Sequence, residues 1–301
     1  MNAIKALSRF VNVGGIKTHY YDAGDGPVVV LLHSGEFGAS AELSWEGSID
    51  CLAQHFRVVA PDWLGFGETD KIRDFVSGSE RMLRHMVAFL DVLAIEEADF
   101  VGTSMGGTVL LKEAASPHCR FPIRNMVVAS GGGLVIDNDA RRLSLAYDGT
   151  TDAMRDVLSV MFEDQKWVED DVYVARRVAA SLAPGAWEAV ASARFKSPQT
   201  PPRSEFGQPD TISYERIPFR TLGIAGKQDK LREPGYHEVF HRIPNGRARV
   251  LEEAGHLLNI EQAGAFNDLV LRFLHGDDLM DAAPSSEEPV RTSETTNRGV
   301  L

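Results

Sequence analysis

Ser104, Asp229 and His256 are far apart in the chain, yet together they could do one kind of chemistry. A serine hydroxyl becomes a useful nucleophile when a histidine takes its proton and an acid fixes the tautomer of that histidine. The serine lies in Gly102-Thr103-Ser104-Met105-Gly106, a match to G-x-S-x-G. A short apolar run ends at Val101 and a helical pattern starts at Val109-Leu110-Leu111, so Ser104 stands at the apex of a strand-turn-helix unit, the setting of a nucleophile elbow. Side chains bulkier than glycine two residues away would collide across so strained a turn. The same turn starts a helix at Met105 and aims its backbone N–H toward any oxyanion formed on the serine. By itself the motif also arises by chance in glycine-rich loops, so the other two residues decide. Asp229 follows a strand-like run through Gly226-Lys227-Gln228, and His256 follows the last one through Ala254-Gly255. Both are expected at the carboxyl edge of a parallel sheet, where open sheets place functional groups. Of the other eight histidines, only His33 ends a strand, and it flanks the loop expected to complete the oxyanion site.

The elements that must position these groups follow from hydrophobic patterning. Residues 9–13 and 16–22 read as a hairpin turning at Gly14-Gly15, and Val28 to Leu32 as a strand buried on both faces. A helix is expected over 45–54, a strand over 56–60, a helix over 79–94 and a strand over 123–129. The pattern then changes. From Leu134 to about Pro209 there is no buried β run, only helical stretches at 151–163, 170–182 and 184–195, followed by a proline-rich loop at 197–202. Strand patterns resume at 219–225 and 248–251, with helices at 234–242 and 260–275. This predicts an α/β core, a mostly parallel sheet flanked by helices, with a helical lid inserted after the sixth strand. Residues 1–133 and 210–276 would form the core, 134–209 the lid, and 277–301 a disordered acidic tail.

Composition narrows the partners. Of 301 residues 44% are hydrophobic and 25% charged, as in a globular protein with a full core. The net charge of −12 argues against nucleic acid or an anionic membrane surface as a partner. Two cysteines, Cys51 and Cys119, make no disulfide framework and are expected as small buried hydrophobes in a reducing compartment. With no secretory h-region and no spanning run, a cytoplasmic protein is expected. No metal-ligand spacing and no G-x-G-x-x-G after the first buried strand are present, so neither metal nor nucleotide cofactor is expected. The loop after Leu32 offers Gly35 as the second oxyanion donor beside Met105, although it also reads as an ordinary strand-exit turn.

The order Ser104, Asp229, His256 is that of the α/β-hydrolases, which the chain resembles over roughly residues 10–275. Within them it is most similar to the meta-cleavage-product hydrolases, which break carbon–carbon bonds in vinylogous 1,5-diketones. The resemblance rests on residues 31–45, on Ala60-Pro61-Asp62-Trp63-Leu64-Gly65-Phe66-Gly67-Glu68-Thr69-Asp70-Lys71, on the elbow with its following Gly107, and on the turns at Gly226 and Gly255-His256. It implies a lid arginine that grips a substrate carboxylate; Arg177 matches best by position, with Arg176 beside it. It also suggests a dimer or higher oligomer. The chain departs from the family pattern where asparagine usually precedes the nucleophile (Thr103), where tryptophan usually follows the histidine (Leu257), and where Ser34, Glu36 and Phe37 stand in the oxyanion loop. Thr103 would still offer a hydroxyl donor, and Leu257 and Phe37 would make the substrate site more apolar. Lid residues Met154, Met161, Phe162, Trp167 and Trp187 would roof it. The reaction expected is hydrolysis of a carbon–carbon bond in a small 2-hydroxy-6-oxo-dienoate through an acyl-enzyme. A carboxylesterase, lactonase or amidase on the same fold is the alternative, since the fold does not settle the bond.

Overall fold

The hairpin predicted at the start is formed by β1 (Ser8–Val13) and β2 (Ile16–Ala23), and both turn glycines have positive φ, 58° at Gly14 and 90° at Gly15. The structure is a computed structural model that describes residues 7–192 and 207–279. β2 then pairs antiparallel with β4 (Arg57–Pro61). The other strands run parallel: β3 (Val28–Leu32), β5 (Ala98–Thr103), β6 (Ile123–Ala129), β7 (Arg220–Gly226) and β8 (Gly246–Leu251). Their order across the sheet is β1-β2-β4-β3-β5-β6-β7-β8. The chain thus leaves β3 on one side, to β4, and returns on the other, to β5. The carboxyl ends of β3 and β5 flank this switch point, where the crevice of an open α/β sheet forms.

Period-two alternation along β3 divides the core. Val30 and Leu32 face a cluster with Phe89 of α3 (Gly78–Val92) and Leu110 of α4 (Met105–Ala114). Val29 and Leu31 face the opposite cluster, with Trp45 of α1 (Ala41–Trp45), Ile49 of α2 (Ile49–Leu52), and Phe266 and Val270 of α11 (Ala263–Leu274). Between β6 and β7 come α5 (Asp139–Leu145), α6 (Thr151–Met161), α7 (Lys166–Glu169), α8 (Asp171–Ser181) and α9 (Ala186–Ala191). The side chains of Asn138, Thr150 and Asp170 cap α5, α6 and α8. Their apolar faces form a third cluster that includes Phe37, Leu231 and Leu257 from the loops at the carboxyl edge of the sheet.

Four expectations need correction. The helix expected over 45–54 breaks into α1 and α2 because Gly47 turns against α11, where Asn267 Nδ2 donates to the Gly47 carbonyl at 2.8 Å. The helix expected over 260–275 is α10 (Leu258–Glu261) followed by α11. They are separated at Gln262, whose amide donates to the carbonyls of Glu252 and Glu253. Residues 236–242 form a 3₁₀ stretch and not an α-helix; its Phe240 lies so close to β7 that a Cβ on Gly223 would approach the ring within 2.2 Å. Cys51 and Cys119 are half-buried and unpaired. α5 and α7 had no counterpart in the hydrophobic pattern. The proline-rich loop at 197–202 lies outside the described residues, as does the tail beyond 279.

Candidate active site

The fully buried β5 delivers the chain to Ser104, whose φ of 49° and ψ of −109° are strained for any residue with a side chain. The neighbouring glycines show why the turn needs them. A Cβ on Gly106 would lie 2.3 Å from the Leu32 carbonyl oxygen, and one on Gly102 would lie 2.7 Å from the Gly107 nitrogen. The turn is fixed by the Ser104 N–H, which donates to the Ala129 carbonyl at 2.8 Å. Met105 opens α4, so its N–H belongs to the first turn, which has no intrahelical acceptors. Gly35, on the β3 exit loop, packs against Met105, and a Cβ there would come within 2.6 Å of the methionine sulfur. The two residues expected to supply the oxyanion donors thus pack together through the Met105 side chain. His33 holds this loop: its Nδ1 and the Ser34 carbonyl are 2.6 Å apart, its Nε2 receives the Trp63 N–H, and burial pushes its pKa down.

The three residues set apart in the sequence meet. Ser104 Oγ lies 2.7 Å from His256 Nε2, and His256 Nδ1 lies 2.8 Å from Asp229 Oδ2. Asp229 and His256 are buried, 9% and 2% exposed, and Ser104 is partly open. Burial opposes ionisation of Asp229, but the imidazole beside it and the Leu231 N–H outweigh burial and hold its carboxyl below the usual range.

Several residues that sequence reasoning missed hold this constellation. The His256 and Leu257 N–H groups both donate to the Met161 carbonyl at the end of α6, at 2.8 and 3.1 Å. Glu261 is almost fully buried in α10; its carboxylate accepts from the N–H groups of Gly255, Glu163 and Asp164 at 2.6, 2.8 and 2.5 Å. Arg232 donates to the carbonyls of Ser130 and Gly132 and so ties the Asp229 loop to the exit of β6. No local motif marks Glu261 or Arg232, because their partners are backbone groups of distant loops.

The expected substrate-binding residues divide. Phe37, Trp187 and Leu257 share the third apolar cluster, with the Phe37 and Trp187 rings stacked 6.5 Å apart. Thr103, expected to offer a hydroxyl donor, gives that donor to a neighbouring side chain. It is fully buried and donates to Asn259 Oδ1 at 3.1 Å, while Asn259 Nδ2 donates to the Ser44 carbonyl. Arg176 lies about one-third exposed and pairs with Glu42 and Glu46. Arg177 is the inward one, fully buried, with Nη2 on Glu36 Oε1 at 2.6 Å.

A family model described as the alpha/beta hydrolase family matches residues 29–269. The chain belongs to the α/β-hydrolase family. This hydrolase is 30% identical over 89% of its length to the 2-hydroxy-6-oxo-6-(2'-aminophenyl)hexa-2,4-dienoic acid hydrolase of Metapseudomonas resinovorans, covering 91% of that protein. It is 31% identical over 92% of its length to the 2-hydroxy-6-oxo-2,4-heptadienoate hydrolase of Pseudomonas putida, covering 99%. Among solved structures, the meta-cleavage product hydrolase from Pseudomonas fluorescens IP01 superposes with a TM-score of 0.79 at 28% identity, over 89% of this hydrolase and 98% of that chain. No helix among its described residues is long and apolar enough to cross a membrane.

Proposed function

We propose that this hydrolase uses Ser104, His256 and Asp229 as a catalytic triad to break a carbon–carbon bond in a meta-cleavage product of the 2-hydroxy-6-oxo-dienoate type. The continuous Ser104–His256–Asp229 hydrogen-bond chain carries the reading, and the names of the relatives indicate the substrate class. The dienol first becomes a ketone, with His256 as proton shuttle, so that the leaving carbon can carry the electron pair. Ser104 Oγ then attacks the distal carbonyl as His256 Nε2 takes its proton, and the Met105 and Gly35 N–H groups hold the oxyanion. When the tetrahedral intermediate collapses, the carbon–carbon bond breaks and the leaving carbanion receives the proton from His256. Water, activated by the same imidazole, releases the acid from the acyl-enzyme and restores Ser104. Asp229 keeps Nδ1 of His256 protonated throughout.

Ester, lactone or amide hydrolysis is the second reading. It is favoured by the apolar Leu257, by the buried and committed Thr103 hydroxyl, and by the carboxylate already paired with Arg177. The free cysteines fit a reducing, cytoplasmic setting. Self-association as a dimer or higher oligomer belongs to the same proposal.

Stopped-flow absorbance tests the bond. A yellow meta-cleavage dienoate and p-nitrophenyl butyrate are compared on the parent enzyme and on Ser104→Ala. Dienoate bleaching that disappears in the variant, with slower ester turnover, is expected. An inert dienoate beside rapid Ser104-dependent ester hydrolysis would replace the carbon–carbon reading with the second one.

A further inference from the structure

Arg232 stands in the turn that opens at Asp229: its N–H donates to the Asp229 carbonyl at 3.4 Å, and the residue is only 5% exposed. Its guanidinium is spent on backbone. Nε and Nη2 donate to the Ser130 carbonyl at 3.1 and 2.7 Å, and Nη1 to the Gly132 carbonyl at 2.6 Å. The receiving turn is strained. Ser130 is fully buried with a φ of 51°, a left-handed conformation that costs free energy in any residue with a side chain. Ser130 directly follows Ala129, whose carbonyl holds the Ser104 N–H. Among the described residues no carboxylate forms an ion pair with Arg232. A neutral donor could serve these carbonyls; a cation buried without a contact anion adds a desolvation cost that hydrogen bonding alone does not require.

The charges around Asp229 show what that cation can act on. His256 faces the carboxylate from the loop after β8, Tyr236 from the 3₁₀ stretch, and Arg141 from α5, where its Nη2 donates to the Leu231 carbonyl at 2.9 Å. Burial and then Asp229 push the Tyr236 phenol up, so it stays neutral. Burial and then Arg232 push the pKa of Arg141 down to about 10, so it stays charged at neutral pH. Burial opposes the Asp229 charge, while His256, the Leu231 N–H and Arg232 support it. We infer that Arg232 is a positioning residue that acts by its charge: held by the β6 exit, it fixes a cation behind Asp229 that keeps the carboxylate ionised and opposes protonation of the resting His256–Asp229 pair. The inference rests on the proposal that Ser104, His256 and Asp229 act together, and holds whichever bond is broken.

The test needs no knowledge of the substrate. The second-order rate constant for labelling of Ser104 by a fluorophosphonate is measured between about pH 5 and about pH 9 on the parent, Arg232→Gln and Arg232→Lys; its acid limb reports proton uptake by the Ser104–His256–Asp229 unit. Removing a cation makes proton uptake easier for both members of the pair, so the limb of Arg232→Gln is expected to move to higher pH by at least about half a unit. Arg232→Lys keeps the charge and is expected to restore the parent limb. A folded glutamine variant with an unmoved limb overturns the inference, whatever its rate, because a purely structural tie lowers the rate without shifting the limb. A lysine variant displaced as far as the glutamine variant overturns it as well. Should Arg232→Gln fail to fold, Arg232→Lys decides: folding with the parent limb upholds the inference, and misfolding or a displaced limb overturns it. A parent enzyme that the probe labels no faster than Ser104→Ala would instead strike the proposed function.

Discussion

At the scale of single residues, Ser104 stores strain. Its φ of 49° with ψ of −109° presents the hydroxyl to His256 in a conformation that costs about 1–3 kcal/mol for a residue with a side chain. Ser104→Gly keeps the turn and removes that cost. Thermal unfolding should show the variant more stable than the parent by about 1–2 kcal/mol, with activity abolished; an unchanged or lower melting temperature would mean that the turn holds no releasable strain. The meeting of Ser104, Asp229 and His256 was legible in the sequence because each follows a strand and so falls on one edge of the sheet. Contacts made by side chains from distant segments were not. Thr103 and Asn259 are 156 positions apart, and Glu36 and Arg177 are 141 apart. Neither pairing follows from local pattern, since each depends on how a helix seats on a loop. The histidine loop and the inserted helices share a further such residue in Glu261.

At the scale of elements, Glu261 lets α10 act as a clamp. One carboxylate accepts from Gly255, beside His256, and from Glu163 and Asp164, just after α6. Glu261→Ala leaves three N–H groups without this acceptor, each costing about 1–3 kcal/mol where water cannot reach. A loss of roughly 2–4 kcal/mol is expected by denaturant titration, with kcat falling more than KM rises, because Glu261 positions His256 without touching substrate. A change in stability alone, with both kinetic constants intact, would reduce Glu261 to a structural tie. The strands were read from the sequence nearly to the residue, since β-branched runs buried on both faces have few other interpretations. The helix breaks escaped notice because hydrophobic period continues through them. Only tertiary partners end the helix at Gln262, where the amide binds two carbonyls of the β8 exit.

At the scale of the whole molecule, acid resistance depends on groups far from the site. His85 on α3 is buried, its Nε2 lies 2.9 Å from Thr18 Oγ1 on β2, and burial pushes its pKa down to about 4. An unfolded chain binds this proton near pH 6.5 and the folded one only near 4, so the unfolded state holds more protons in between. Stability is therefore lost as pH falls through that window, by roughly 3 kcal/mol in full. Melting temperatures measured between pH 7 and 4.5 should drop less steeply for His85→Gln than for the parent; parallel slopes would assign the acid limb to other groups. The Met161 carbonyl, which receives the N–H groups of both His256 and Leu257, has a consequence for protein engineering. Chimeras that exchange the inserted helices between relatives also exchange a backbone support of His256, the general base in the proposed mechanism. Such grafts will keep turnover only where the donor segment returns a carbonyl to that point, however well its side chains suit the new substrate.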